Sequence, residues 1–216
     1  MATPGEGDPW AVPYALLSEN QQERARKVMD APTCMVELER TPVRSRPEVY
    51  VFLMDELPFT AGVLRELGES KYEISRDGKG GYLFNDHAGL TLRAELLRRD
   101  EGRWVWYTHG AYSLGILGSA VGRSVIVVRT AEVEGVLQTE ARVYAKVESK
   151  LLESAAKAMR GLVEGVIRDK SFVFIKAART VAELTARDAG RLYTTVRGSP
   201  HVDADVLEEF RKRFVH

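Results

Sequence analysis

The hydrophobic period of this chain changes once, and that change fixes the order of its layers. From Lys71 to Lys146 apolar residues recur at every second position. Leu90, Leu92, Ala94 and Leu96 share one side, with Thr91, Arg93 and Glu95 opposite. Leu137, Thr139, Ala141, Val143, Ala145 and Val147 likewise oppose Gln138, Glu140, Arg142, Tyr144 and Lys146. This alternation predicts antiparallel strands with one buried and one wetted face. Asp77-Gly78, Asp100-Glu101-Gly102 and Glu134-Gly135 supply the turns. From Ser149 to Asp188 the spacing becomes helical, through Leu152, Ala155, Ala156, Met159, Leu162, Val163 and Val166. The expected fold is α+β: a curved antiparallel sheet of about seven strands wrapped around a long C-terminal helix, enclosing an apolar space. After Lys170 the run Phe172-Val173-Phe174-Ile175 breaks the stripe. Either the helix kinks there or its apolar surface widens to meet a second partner.

Shorter elements precede the sheet. Residues 1–15 are rich in proline and glycine and read as a flexible arm. Ser18 and Gln21 form a capping box for a helix ending near Met29. Cys34 to Arg40 reads as the first strand. Ser45 and Pro47 then open a short helix carrying Val49, Phe52 and Leu53. Asp55 is placed to cap a second one, through Val63, Leu64 and Leu67, closed by Gly68. Near the end, Asp203 is placed to cap a helix bearing Val206, Leu207, Phe210 and Phe214. The expected division is an arm with a short helix (1–33), the main domain (34–190) and a tail with an amphipathic helix (191–216).

Composition narrows the function classes. The 216 residues carry a formal net charge of zero, so no basic excess argues for nucleic acid. A single cysteine, Cys34, fits a reducing cytoplasm and builds neither a disulfide nor a zinc site. The first ten residues lack the pattern of a signal peptide, and no apolar stretch approaches the roughly 20 residues of a spanning helix. Scattered histidines, and the absence of H-E-x-x-H, G-x-S-x-G or a dinucleotide fingerprint, predict no metal and no nucleotide cofactor.

Three polar residues stand out in the strand region. In Trp104-Val105-Trp106-Tyr107-Thr108-His109, alternation sets Val105, Tyr107 and His109 against Trp104, Trp106 and Thr108. Two tryptophans on a wetted face would be unusual, so an arm or partner is expected over one of these faces. Facing the enclosed space, Tyr107 and His109 would orient a ligand's polar group, or His109 would act as acid or base. The plainer reading is a hydrogen-bonded histidine at a strand end, with no nucleophile or base beside it. Arg129 interrupts an apolar face, where it would pair with a ligand carboxylate or reach water at a bulge. Asp86-His87 reads as a turn, and Asp77-Gly78-Lys79-Gly80-Gly81 as a hairpin rather than a phosphate loop. The segment 111–122 is apolar and punctuated by glycine. It is either a twisted buried strand or a lid whose Leu114, Ile116 and Leu117 open the space or touch a bilayer.

The order of strand, two short helices, about six strands and a long helix resembles the helix-grip fold of the START-like superfamily, which includes polyketide cyclases and Bet v 1-type (SRPBCC) proteins. The anchors are RSRPEVYVFLMDELPFTAGVLREL and ESKLLESAAKAMRGLVEGVI, within residues 34–188. Both report fold rather than chemistry. The resemblance implies a deep cavity between sheet and helix holding a lipid, sterol, polyketide or similar molecule. The expected polar contacts are Tyr107, His109 and Arg129. The expected apolar walls are Phe84, Leu92, Val127, Val143, Met159, Val163 and Val166. Binding or transport of a hydrophobic or amphipathic molecule is the first expectation. A cyclase or aromatase acting in the same cavity is the second. The third is an interaction protein with a closed cavity, using Phe172, Phe174, Ile175, Phe210 and Phe214. A homodimer and a transient membrane-surface contact are the further partner expectations.

Overall fold

Seven strands form one antiparallel ladder: β1 (Cys34–Val43), β2 (Glu73–Arg76), β3 (Gly81–Asn85), β4 (Leu90–Asp100), β5 (Arg103–Ser113), β6 (Ser119–Val133) and β7 (Val136–Val147). Their spatial order is β1-β7-β6-β5-β4-β3-β2, so β1 closes against the last strand. The computed structural model describes residues 8–113, 119–148 and 160–215, with positions 112, 160–163 and 166 given by backbone alone. Among these residues the α-helices are α1 (Glu19–Met29), α2 (Pro47–Asp55), α3 (Leu57–Glu66), α4 (Arg160–Ser171), α5 (Val173–Val196) and α6 (Ala204–Phe214), preceded by one 3-10 turn at Tyr14–Leu16. This is the predicted α+β arrangement, with two short helices after the first strand and a long C-terminal helix.

Local chemistry explains most boundaries. Ser18 and Gln21 form the expected capping box of α1. Pro47 sits in the first turn of α2, but no side chain caps either α2 or α3. Asp55, expected to cap α3, instead accepts from Trp104 Nε1 at 2.7 Å and Arg99 Nε at 3.0 Å, which pins the α2–α3 corner to the sheet. The apolar run after Lys170 does break the long helix. Phe172 leaves helical geometry between α4 and α5 and is itself fully buried. A second break falls at Asp188, whose backbone is extended (φ −163°, ψ 88°) and whose carboxylate accepts from Arg191 N–H at 2.8 Å, capping the last turns of α5.

The wetted outer face expected of the sheet is covered at its centre. On the inner face, Trp104, Trp106, Ile126, Val128 and Val143 pack with α2, α3, α5 and α6. On the outer face, Val105, Tyr107, Val125, Val127 and Tyr144 pack with Ala25, Val28 and Met29 of α1 and with Val12. Residues 8–15, read as part of a flexible arm, lie on this face: Trp10 stacks against the guanidiniums of Arg129 and Arg142, and Arg103 donates to the carbonyl of Ala11. Both members of the alternating pattern are therefore buried.

The β2–β3 hairpin turns as predicted, held by Asp77. Its carboxylate pairs with Arg93 and accepts from the N–H groups of Lys79 and Gly81, each at 2.8 Å. The Arg93 bond first, and these N–H groups next, lower its pKa from 3.8 to about 2. The sign follows from linkage: with the folded value below the unfolded one, the anchorage is complete above the unfolded pKa and is lost as pH falls through the folded one. Amide exchange at Lys79 and Gly81, corrected for its intrinsic pH dependence, should lose protection as pH falls from about 4 towards about 2. Asp77→Asn should remove that dependence.

Candidate functional site

The inner wall of the sheet is best followed across the strands, one cross-strand row at a time. The row Leu96, Trp106, Ile126, Val143, Val36 is bulky. The next row is Ala94, Thr108, Ser124, Ala145, Cys34: five small side chains in register on five neighbouring strands. Beyond it, Ile74, Phe84 and Leu92 restore bulk, and Leu92 lies over Gly110. Side-chain bulk thus falls along this strip and rises again beyond it on β2, β3 and β4, while on β5 and β6 the next positions are Gly110 and Gly122. On β1, β5, β6 and β7 exposure follows the same contour, whereas Leu96 on β4 is only partly buried. Trp106, Ile126, Val143 and Val36 are 0–3% exposed, whereas Thr108, Ser124, Ala145 and Cys34 are 4–8% exposed.

The strip carries hydrogen-bonding groups in an apolar setting. The hydroxyls of Thr108 and Ser124 lie 2.6 Å apart, both buried. Beside them, the Trp106 indole packs on Tyr82 and Phe174, with ring centroids 5.6 and 6.3 Å away. Its Nε1–H is buried and has no acceptor among the described residues. A buried donor without a partner costs about 1–3 kcal/mol, so this orphan marks a place where an acceptor would be favoured.

The expected site residues divide between the two faces. Phe84, Leu92 and Val143 belong to the inner wall. Tyr107, His109, Val127 and Arg129 belong to the outer face, away from the long helix, so they cannot line the same space. The reason is register. Tyr107 and His109 alternate with Trp106 and Thr108, and it is the tryptophan set that meets the helices. Arg129 neither binds within the interior nor sits at a bulge: it pairs with Glu140 at 3.1 Å and stacks on Trp10. Met159 and the lid positions Leu114, Ile116 and Leu117 lie outside the described residues; Val163 and Val166 lie on α4, given by backbone. Asp86 does form a turn: its carboxylate accepts from Ala88 and Leu90 N–H and pairs with Lys170. The aromatic residues expected at a partner surface are largely used within the chain, with Phe172 and Phe210 fully buried and Ile175 and Phe214 nearly so.

Tyr107 and His109 instead border a cleft of about 220 Å³ on the outer face, lined also by Arg24, Arg93, Glu95 and Arg123. In register across four strands stand Arg93, His109, Arg123 and Lys146. Arg24 reaches over from α1, stacks on the Tyr107 ring and bonds Glu95 at 2.8 Å. Burial raises the pKa of the Tyr107 phenol, which keeps it a hydrogen-bond donor. Sequence reasoning missed Arg93 and Arg123 because strand register aligns them, and Arg24 because its place depends on where α1 lands.

No family model matches the chain, and no curated protein matches it. Several solved structures are similar. One is a conserved protein from Geobacillus kaustophilus, 16% identical, with 70% of this chain and 93% of that chain covered and a TM-score of 0.44. Another is a Rhizobium loti protein, 15% identical, covering 68% and 95%, with a TM-score of 0.41. A third is the di-domain ARO/CYC BexL, 14% identical, covering 76% of this chain and 55% of that one, with a TM-score of 0.45.

Proposed function

We propose that the protein binds one small amphipathic molecule against the inner wall, with its apolar body between Leu92, Phe84 and Val143 and one polar atom on Trp106 or the Thr108–Ser124 pair. The observation that carries this reading is the orphaned Trp106 Nε1–H beside a row of small side chains. Removing apolar ligand surface from water would supply most of the affinity, at roughly 25 cal/mol per Å² before ordering costs. A few polar groups suffice to set orientation. A cyclase-type reaction is the weaker reading. It needs a group that moves protons beside the substrate, and Tyr107, His109 and Arg129, the groups expected for that role, stand on the far face.

Native mass spectrometry of gently purified full chain should find a small molecule bound one to one. Ala145→Leu adds bulk to the narrow row. It should abolish co-purification while leaving melting temperature unchanged or raised. A protein without any bound molecule, in which Ala145→Leu costs the ~1–3 kcal/mol of an overpacked core, would overturn the proposal.

A further inference from the structure

We propose that the cleft on the outer face is a second binding site, independent of the interior one, that takes the phosphate group of a small molecule. Three observations converge on it. The first is the basic row. Arg93, His109 and Arg123 occupy directly opposed positions on β4, β5 and β6, and Lys146 continues the row on β7. Like charges placed directly opposite each other across strands destabilise a sheet. In this row Arg123 and Lys146 are the directly opposed cations, and an anion lying beside them relieves that repulsion.

The second observation is how little the neighbouring carboxylates use the guanidiniums. Asp77 pairs with Arg93, Glu148 with Arg123 and Glu95 with Arg24. A guanidinium carries five donors, more than a single carboxylate engages. Lys146 has no ion-pair partner among the described residues. Glu95 is committed twice, to Arg24 and to Gln21 Nε2 at 2.9 Å, so it is held in place as an acceptor on the cleft wall.

The third is shape. Arg24 comes from α1, Arg93 from β4 and Arg123 from β6, so three forked donors approach one small volume from three elements. A tetrahedral phosphate presents oxygens in enough directions to meet all three, whereas a carboxylate presents two oxygens in one plane. Tyr107, also in the lining, adds a neutral donor. The cleft, at about 220 Å³, has room for the phosphate and a short remainder of the ligand.

The test is a titration of the full chain, at constant ionic strength, with inorganic phosphate and separately with phenyl phosphate, following the arginine Nε–H resonances by NMR. Saturable shifts confined to Arg24, Arg93 and Arg123 are expected, with Arg123→Gln or Arg93→Gln weakening binding about tenfold, or ~1.4 kcal/mol. Tighter binding of phenyl phosphate would assign an organic phosphate; equal binding would assign the free ion. Ala145→Leu should leave both titrations unchanged, which separates this site from the interior one. Shifts that never saturate and appear at every surface arginine, or binding indifferent to Arg123→Gln, would overturn the proposal.

Discussion

Replacing Phe210 by alanine should cost the fold about 3–5 kcal/mol, the range for deleting a fully buried phenyl ring. Helix α6 begins where Asp203 accepts from the N–H groups of Asp205 and Val206, at 2.9 and 3.2 Å. It presents Leu207, Phe210 and Phe214 to the domain. Phe210 is fully buried, with Phe59 and Phe214 each 5.4 Å away and Phe52 6.1 Å away, centroid to centroid. Phe52 belongs to α2 and Phe59 to α3, so one ring joins the C-terminal helix to the corner that Asp55 fixes on the sheet. A melting temperature lower by roughly 10 °C is expected for a chain of this size. The transition should remain single, because the tail shares its core with α2 and α3. A separate early transition for residues 203–215, with the main melt unmoved, would show that the tail folds on its own account.

The sequence carried the fold further than the site, and particular residues show why. Period-two and helical spacing are local, so the strands from Glu73 to Val147 and the helical switch after them were readable. Turns were readable because Asp77-Gly78 and Glu134-Gly135 impose backbone geometry by themselves. The break at Phe172 was visible as four apolar residues in a row. Faces were readable only in relative terms. Alternation grouped Tyr107 with His109 and opposed them to Trp106, but it is silent on which group meets the long helix. That depends on Trp10, Val12 and Val28 covering the outer side, a contact that joins segments nearly a hundred positions apart. The small-residue row is harder still. Ala94, Thr108, Ser124, Ala145 and Cys34 come from five strands, and only the register of four pairings aligns them. Asp55 failed as a predicted cap for a related reason: a distant indole and a distant guanidinium out-competed the local N–H groups.

Gly62→Ala should destabilise the intact chain despite the helix preference for alanine, and the size of that loss in a second background tests how the tail is seated. In the middle of α3, alanine is favoured over glycine by up to about 1 kcal/mol, since glycine loses more backbone freedom in a helix. In the intact chain that gain is overridden. A Cβ at position 62 would overlap the carbonyl of His201 and stand 3.3 Å from Val202 Cγ2. The obstacle is backbone, held in a turn by His201 N–H donating to Ser199 Oγ, whose hydroxyl in turn donates to Glu66 of α3 at 2.6 Å. It therefore cannot rotate aside as a side chain would. The segment 199–203 must lift from α3, and the Phe210 cluster loses its approach to Phe59. A net loss of at least ~1–3 kcal/mol is expected, as for an overpacked core. Gly62→Ala made in the Phe210→Ala background should then cost far less than it does alone, because the docking it disrupts is already weakened; coupling of 0.5–3 kcal/mol is typical of residues sharing a contact network. Strict additivity of the two losses in urea melts would place the obstruction elsewhere. An increase in stability from Gly62→Ala in the intact chain would mean that α3 and the His201 turn stand further apart in solution than in this fold.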